Sequence, residues 1–314
     1  MKIIKLYKRG GVILTSLLIV LIFTLITILG FVYKSLSFEY KQPIREKFYT
    51  FKTYVEIKTH NYEDGQNEIF VDFSKKKILA IGDSQTAAFK WQNYLAHLIH
   101  ADINTHAKGG IGMLEMVDGQ IPQPQTNGVD PNNFGVSYIP SLRTKDVVGK
   151  DYIIIMGLYN ENKCFEEYCG TKHDLYPRDT TYCGKFNYMV TRIKNELNKA
   201  NNTKCTIILV TPHIFGKYPY NDKDAYHYKN IGMIDTLKTL SSYNDIKFCD
   251  LTNLSGIDST NWNIYQSGKF LDKNSPYYSI AKYPQNNDNL HLNHRGQMKV
   301  AVAVAKWMSS NLIP

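Results

Sequence analysis

The sequence predicts a three-layer α/β/α domain around a mostly parallel, five-stranded sheet, preceded by one transmembrane helix. Three observations carry this. From Lys76 onward, short apolar runs rich in β-branched residues alternate with stretches whose apolar residues recur at helical spacing. The runs end in turn residues, as buried parallel strands do. And residues 12–33, VILTSLLIVLIFTLITILGFVY, contain no charge over 22 positions.

The strand candidates are residues 78–81, 102–105, 152–156, 206–210 and 246–249. Ala88, Trp91, Leu95 and Leu98 mark one amphipathic helix. Met298, Ala301, Val302, Ala305, Met308 and Leu312 mark the last one. Right-handed crossovers between parallel strands place helices on both faces of the sheet. Residues 118–150 and 162–182 lack periodicity, and loops of that length are usually either functional or disordered. With the tyrosine-rich stretch 217–228 they are expected to rim a crevice at the strand ends.

The 22-residue apolar run reaches about 33 Å at the helical rise, enough to span a bilayer. It is too long for a signal-peptide core, and no clean small-residue cleavage site follows. Lys2, Lys5, Lys8 and Arg9 precede it, so the N-terminus is expected in the cytoplasm and the bulk of the chain outside. The expected organisation is a basic tail (1–11), an anchor (12–33), a juxtamembrane stalk (34–75) and a globular domain (76–314). Lys+Arg 37 against Asp+Glu 28 gives +9, but the positives outside the tail are scattered among acids. That pattern argues against nucleic acid as a partner and for a tail beside anionic lipid. A hydrophobic fraction of 43% excludes wholesale disorder.

Five cysteines, Cys164, Cys169, Cys183, Cys205 and Cys249, leave an odd thiol. Export would permit a loop staple among the first three. Their spacing, with no His pair nearby, does not match a zinc site, and no metal is expected. No P-loop, HExxH or complete dinucleotide fingerprint occurs.

Two short motifs carry the chemistry. In ILAIGDSQT a strand runs into Gly82-Asp83-Ser84 and a helix follows. Gly82 suits a tight turn. The Ser84 hydroxyl is then expected in the crevice, with its N–H at a helix N-terminus. A serine hydroxyl is a weak nucleophile until a base takes its proton. Asp288-Asn289-Leu290-His291, before the last helix, supplies a base in His291 and, in Asp288, a carboxylate to hold its tautomer. His294 is read as solvated or helix-capping. Gly110, beside Gly109 after the second strand, and Asn160 after the third are candidate donors to an oxyanion.

In this order and spacing the set resembles the SGNH (GDSL-type) hydrolase family over about residues 76–314. GDSQT matches the family's first block and DNLHLNHRG its last. The resemblance implies a flavodoxin-like fold with Ser84 as nucleophile, His291 as base and Asp288 as its orienter. Gly110 and Asn160 would complete an oxyanion hole with the Ser84 N–H. The third block here, Gly157-Leu158-Tyr159-Asn160-Glu161, is one residue longer than the family's, and Gly109 is the alternative donor in the second.

The expected activity is hydrolysis of acyl or acetyl esters on glycans, lipids or small molecules through an acyl-enzyme, with no cofactor. Transfer of the acyl group to a sugar hydroxyl, and a non-catalytic binding module on the same scaffold, are the alternatives. Product analysis separates the first from hydrolysis, and reaction of Ser84 with a fluorophosphonate separates the second.

Overall fold

A computed structural model describes residues 22, 24, 25, 27, 28, 69–87, 90–107, 142–158, 169–176, 178–179, 181–212, 225–258, 260–265 and 291–312. The chain divides into two compact units, Met1–Phe51 and Lys52–Pro314. In the first, Ile22, Thr24, Leu25, Thr27 and Ile28 are helical, and Ile22, Leu25 and Ile28 are about half exposed. The rest of the expected anchor lies outside the described residues. Among the described residues, no helix is long and apolar enough to cross a membrane.

In the second unit the chain runs β1 (Lys77–Gly82), α1 (Ser84–Ala87), α2 (Trp91–Ile99), β2 (Asp102–Ala107), α3 (Thr144–Val147), β3 (Tyr152–Met156), α4 (Tyr182–Lys199), β4 (Thr206–Val210), α5 (Ala225–Tyr243), β5 (Lys247–Cys249), α6 (Leu251–Leu254), α7 (Trp262–Tyr265) and α8 (His294–Asn311). The strands form one sheet in the order β2-β1-β3-β4-β5, every pair parallel. This is the doubly wound flavodoxin-like order. The chain leaves β1 to one side for β2 and returns to its other side for β3. The switch point therefore lies at the C-terminal ends of β1 and β3, where such folds open a crevice.

Alternation along the strands divides the core in two. Ile78, Ala80, Ile154, Met156, Ile208 and Val210 join one cluster with Trp91, Tyr94 and Leu95 of α2 and with the apolar face of α8. Leu79, Ile81, Ile153, Ile155, Ile207 and Leu209 are equally buried but lie outside that cluster, so they face the other side of the sheet. Burying a side chain of this kind contributes about 1.5–3 kcal/mol, so both faces of the sheet stabilise the fold. Phe73, in the segment the sequence assigns to the stalk, is fully buried in the first cluster, and its N–H donates to the Ile99 carbonyl.

Several expectations shift. The fifth strand is three residues, 247–249, and the first two are longer than predicted. The helices 182–199 and 225–243 were not singled out from sequence. α4 is capped by Thr181, whose hydroxyl accepts from the Gly184 N–H, so the helix begins at 182, where the expected loop ends. The last four residues of the tyrosine-rich stretch, 225–228, belong to α5 and not to a loop, while 217–224 lie outside the described residues. Cys169 is a free thiol, and the Cys183 N–H donates to its carbonyl; Cys164 lies outside the described residues.

Candidate active site

Ser84 follows β1 directly and opens α1, at the C-terminal edge of the sheet. Its neighbours hold this turn from three sides. The buried Asp83 carboxylate accepts from the Gln85 N–H at 3.0 Å, and its carbonyl accepts from the Ala87 N–H. The Thr86 hydroxyl donates to the Met156 carbonyl at 2.7 Å, tying the turn to the end of β3. The Gln92 amide donates to the Thr86 carbonyl at 2.6 Å and to the Thr105 hydroxyl at 3.2 Å, tying it to β2. Such a braced turn holds a reactive group in one place before substrate arrives.

Gly82 serves a purpose other than the one inferred from sequence. Its φ is not in the left-handed region. A Cβ there would lie 1.7 Å from the Met156 carbonyl oxygen, so β1 and β3 approach too closely for any side chain. The helix that follows is also a single turn, Ser84–Ala87, with α2 starting separately at Trp91. An anion beside Ser84 would therefore meet individual N–H groups, not the dipole of a long helix.

His291 arrives from the other end of the chain. Its Nε2 lies 2.7 Å from the Ser84 Oγ, across 207 positions of sequence. With Nδ1 carrying the ring proton, the Ser84 hydroxyl donates to Nε2, the arrangement in which a base receives the proton of its nucleophile. Two residues on, Asn293 caps α8. Its side-chain oxygen accepts from the Gly296 N–H at 3.1 Å, and its amide donates to the Ile264 carbonyl at 2.8 Å. The Asn293 N–H donates to the Tyr265 carbonyl, so α7 fixes the strap that carries His291.

His294, expected to be solvated or capping, does neither. It is half-buried at the first turn of α8, with the Lys90 ammonium 3.0 Å from its Nε2 and the Tyr94 hydroxyl 3.4 Å from its Nδ1. Asn293 is the cap instead. Asp288, Gly110, its neighbour Gly109, and Asn160 lie outside the described residues. At the end of β3, Gly157 packs on Asp83: a Cβ would lie 3.0 Å from the Asp83 nitrogen. The next residue, Leu158, is buried with φ +71°, a left-handed conformation costly for a branched side chain.

Thr86, Gln92 and Asn293 were not identified from sequence. Asn293 was within reach of it, since an Asn immediately before a helical stripe is a start signal. Gln92 was not, because a glutamine inside a helix carries no mark of what it will bond. Among the described residues, no three His, Cys, Asp or Glu side chains gather as a metal site. A groove of about 520 Å3, lined by Lys194, Cys205 and Lys247 among others, lies at the opposite edge of the sheet and contains none of the candidate residues.

No family model matches the chain, and no curated protein matches it. Solved structures do. A lipase/acylhydrolase from Enterococcus faecalis is 11% identical, with 76% of this chain and 98% of that one covered and a TM-score of 0.39. A GDSL-like lipase from Bacteroides thetaiotaomicron is 12% identical, covering 84% and 100%, at 0.40. A catalytic mutant of an acetylxylan esterase from Geobacillus stearothermophilus is 13% identical, covering 78% and 98%, at 0.41. Likeness of this degree assigns no function, and the case rests on the chain's own geometry.

Proposed function

We propose that this protein is a membrane-anchored serine esterase that cleaves acyl or acetyl esters through an acyl-enzyme. One observation carries the reading: a serine hydroxyl and an imidazole from opposite ends of the domain lie 2.7 Å apart at the switch point of the sheet. Ser84 attacks the ester carbonyl and His291 takes its proton. His291 then returns that proton to the departing alkoxide, which leaves as an alcohol. Water, activated by the same imidazole, attacks the acyl-enzyme, releases the acid and restores Ser84. Asp288, three residues before His291, would hold the Nδ1 proton and stabilise the imidazolium. The Ser84 N–H, Gly110 and Asn160 would donate to the oxyanion, each such donor contributing roughly 2.7–4 kcal/mol in the transition state.

The apolar run 12–33 would tether the domain outside the cytoplasm, where ester-bearing glycans, lipids or small molecules are the candidate substrates. The test uses the full chain. A fluorophosphonate probe is expected to label Ser84, located by peptide mass mapping, and p-nitrophenyl acetate to be hydrolysed. Ser84→Ala is expected to abolish both. Turnover at the wild-type rate in that variant overturns the mechanism.

A further inference from the structure

We propose that Lys90 and His294 form a positioning clasp that sets the distance between the Ser84 hydroxyl and the His291 imidazole. The proposal deepens the reading above and rests on it for the roles of Ser84 and His291. Lys90 stands six residues after Ser84, directly before α2. His294 stands three residues after His291, as the first residue of α8. These two helices pack against each other, so the hydroxyl and the imidazole ride on the two sides of one helix–helix joint.

Most of that joint is apolar, built from residues such as Tyr94, Leu95, Val300 and Val304. Apolar packing holds helices together but tolerates small slides along their axes, because contact area changes little with register. A hydrogen bond does not tolerate them, since it weakens steeply with distance and angle. At the site end of the joint stands a close polar contact, which likewise weakens with distance. Lys90 is only 4% exposed, and its ammonium lies 3.0 Å from Nε2 and 3.1 Å from Nδ1 of His294. The Tyr94 hydroxyl, one turn along α2, lies 3.4 Å from Nδ1.

Nearly equidistant from the two ring nitrogens, the Lys90 ammonium sits against the His294 ring between them and not along the lone pair of either. Burying a lysine is costly, and apolar residues of similar size would serve adhesion as well. What the pair adds is a fixed register between the first turns of α2 and α8. A displacement of about 1 Å between reacting groups can cost a hundredfold in rate, so this register bears directly on catalysis.

The test measures the second-order rate at which the full chain reacts with a fluorophosphonate, with the melting temperature followed in parallel. Lys90→Met and His294→Leu are each expected to slow labelling tenfold or more through the maximal inactivation rate, with probe affinity unchanged. The double variant is expected to be no slower than the slower single, because both remove one contact. His294→Gln, whose amide oxygen still accepts from Lys90, is expected to recover most of the rate. Folded single variants that label at the wild-type rate overturn the clasp. So does a double variant whose losses multiply, or a glutamine as slow as leucine. If the wild-type chain does not label at Ser84, the esterase reading fails, and the clasp is still read from the imidazole 15N resonances of His291. Those resonances report the bond to Ser84, and in Lys90→Met they are expected to move toward their positions in Ser84→Ala. Unchanged resonances overturn the clasp independently of any activity.

Discussion

Replacing Gly82 by alanine tests the central joint of the site. An ideal Cβ at Gly82 would lie 1.7 Å from the Met156 carbonyl oxygen, 2.5 Å from the Thr86 hydroxyl oxygen and 2.8 Å from the Met156 carbonyl carbon. A carbon–oxygen contact settles near 3.3 Å, so β1 and β3 must part by about 1.6 Å at their C-terminal ends. The nearest atom is backbone, and no rotamer change can relieve it. Overpacking of this kind costs roughly 1–3 kcal/mol. Losing the Thr86–Met156 hydrogen bond adds about 1 kcal/mol. A total of about 2–4 kcal/mol lowers the melting temperature by roughly 5–15 °C in a domain of this size. Ser84 is two residues away, so its displacement is expected to slow fluorophosphonate labelling about a hundredfold. The control is Gly256→Ala. There φ is +63° and nothing lies within 4 Å, so only the left-handed backbone is penalised, by about 1–2 kcal/mol, and labelling is unchanged. Calorimetry and labelling kinetics on both variants decide the matter. A Gly82→Ala protein with wild-type melting and wild-type labelling refutes the close approach of β1 and β3.

The remaining predictions concern stability and thiol chemistry. Glu196 on α4 accepts from Lys199 at 2.8 Å and from the Thr144 hydroxyl at 2.7 Å, and these bonds, Lys199 first, hold its carboxyl below the ordinary 4.5. Its stabilisation is thus complete above about 4.5 and lost as pH falls through the lower folded-state value. The melting-temperature gap between wild type and Glu196→Gln is therefore expected to narrow as pH drops below 4.5; a gap independent of pH contradicts this. Burial pushes the Cys205 thiol up to about 12 and raises Cys249 as well. Burial thus keeps both as thiols near neutral pH, so native alkylation by iodoacetamide is expected to modify Cys169 well before Cys205 or Cys249. Equal rates at the three positions, read by peptide mapping, would contradict that order.

Much of the architecture was legible in the sequence because its causes are local. The third and fourth strands, 152–156 and 206–210, are where their β-branched runs lie. The last helix follows its alanine–valine–methionine stripe. Strand–helix alternation was enough to predict a parallel sheet, since parallel strands need crossovers. Helix α4 was harder to see because its buried face includes Gly184, Lys185, Asn187 and Glu196, which interrupt the apolar stripe; the Asn187 amide, for one, finds its acceptors in the Lys172 and Asp174 carbonyls outside the helix.

The candidate site divides along the same line. Sequence alone supplied the residue types, a serine after a strand and a histidine before the last helix, because the reactivity of a side chain belongs to the residue itself. Tertiary structure alone decided that Ser84 and His291 meet while His294, three positions on, turns instead to Lys90. It also decided that Gly82 is required by a carbonyl 74 positions away. Distances between remote segments are set by how sheet and helices pack, and neither the identity nor the spacing of residues records them. The chain encodes its chemistry residue by residue, and its geometry only as a whole.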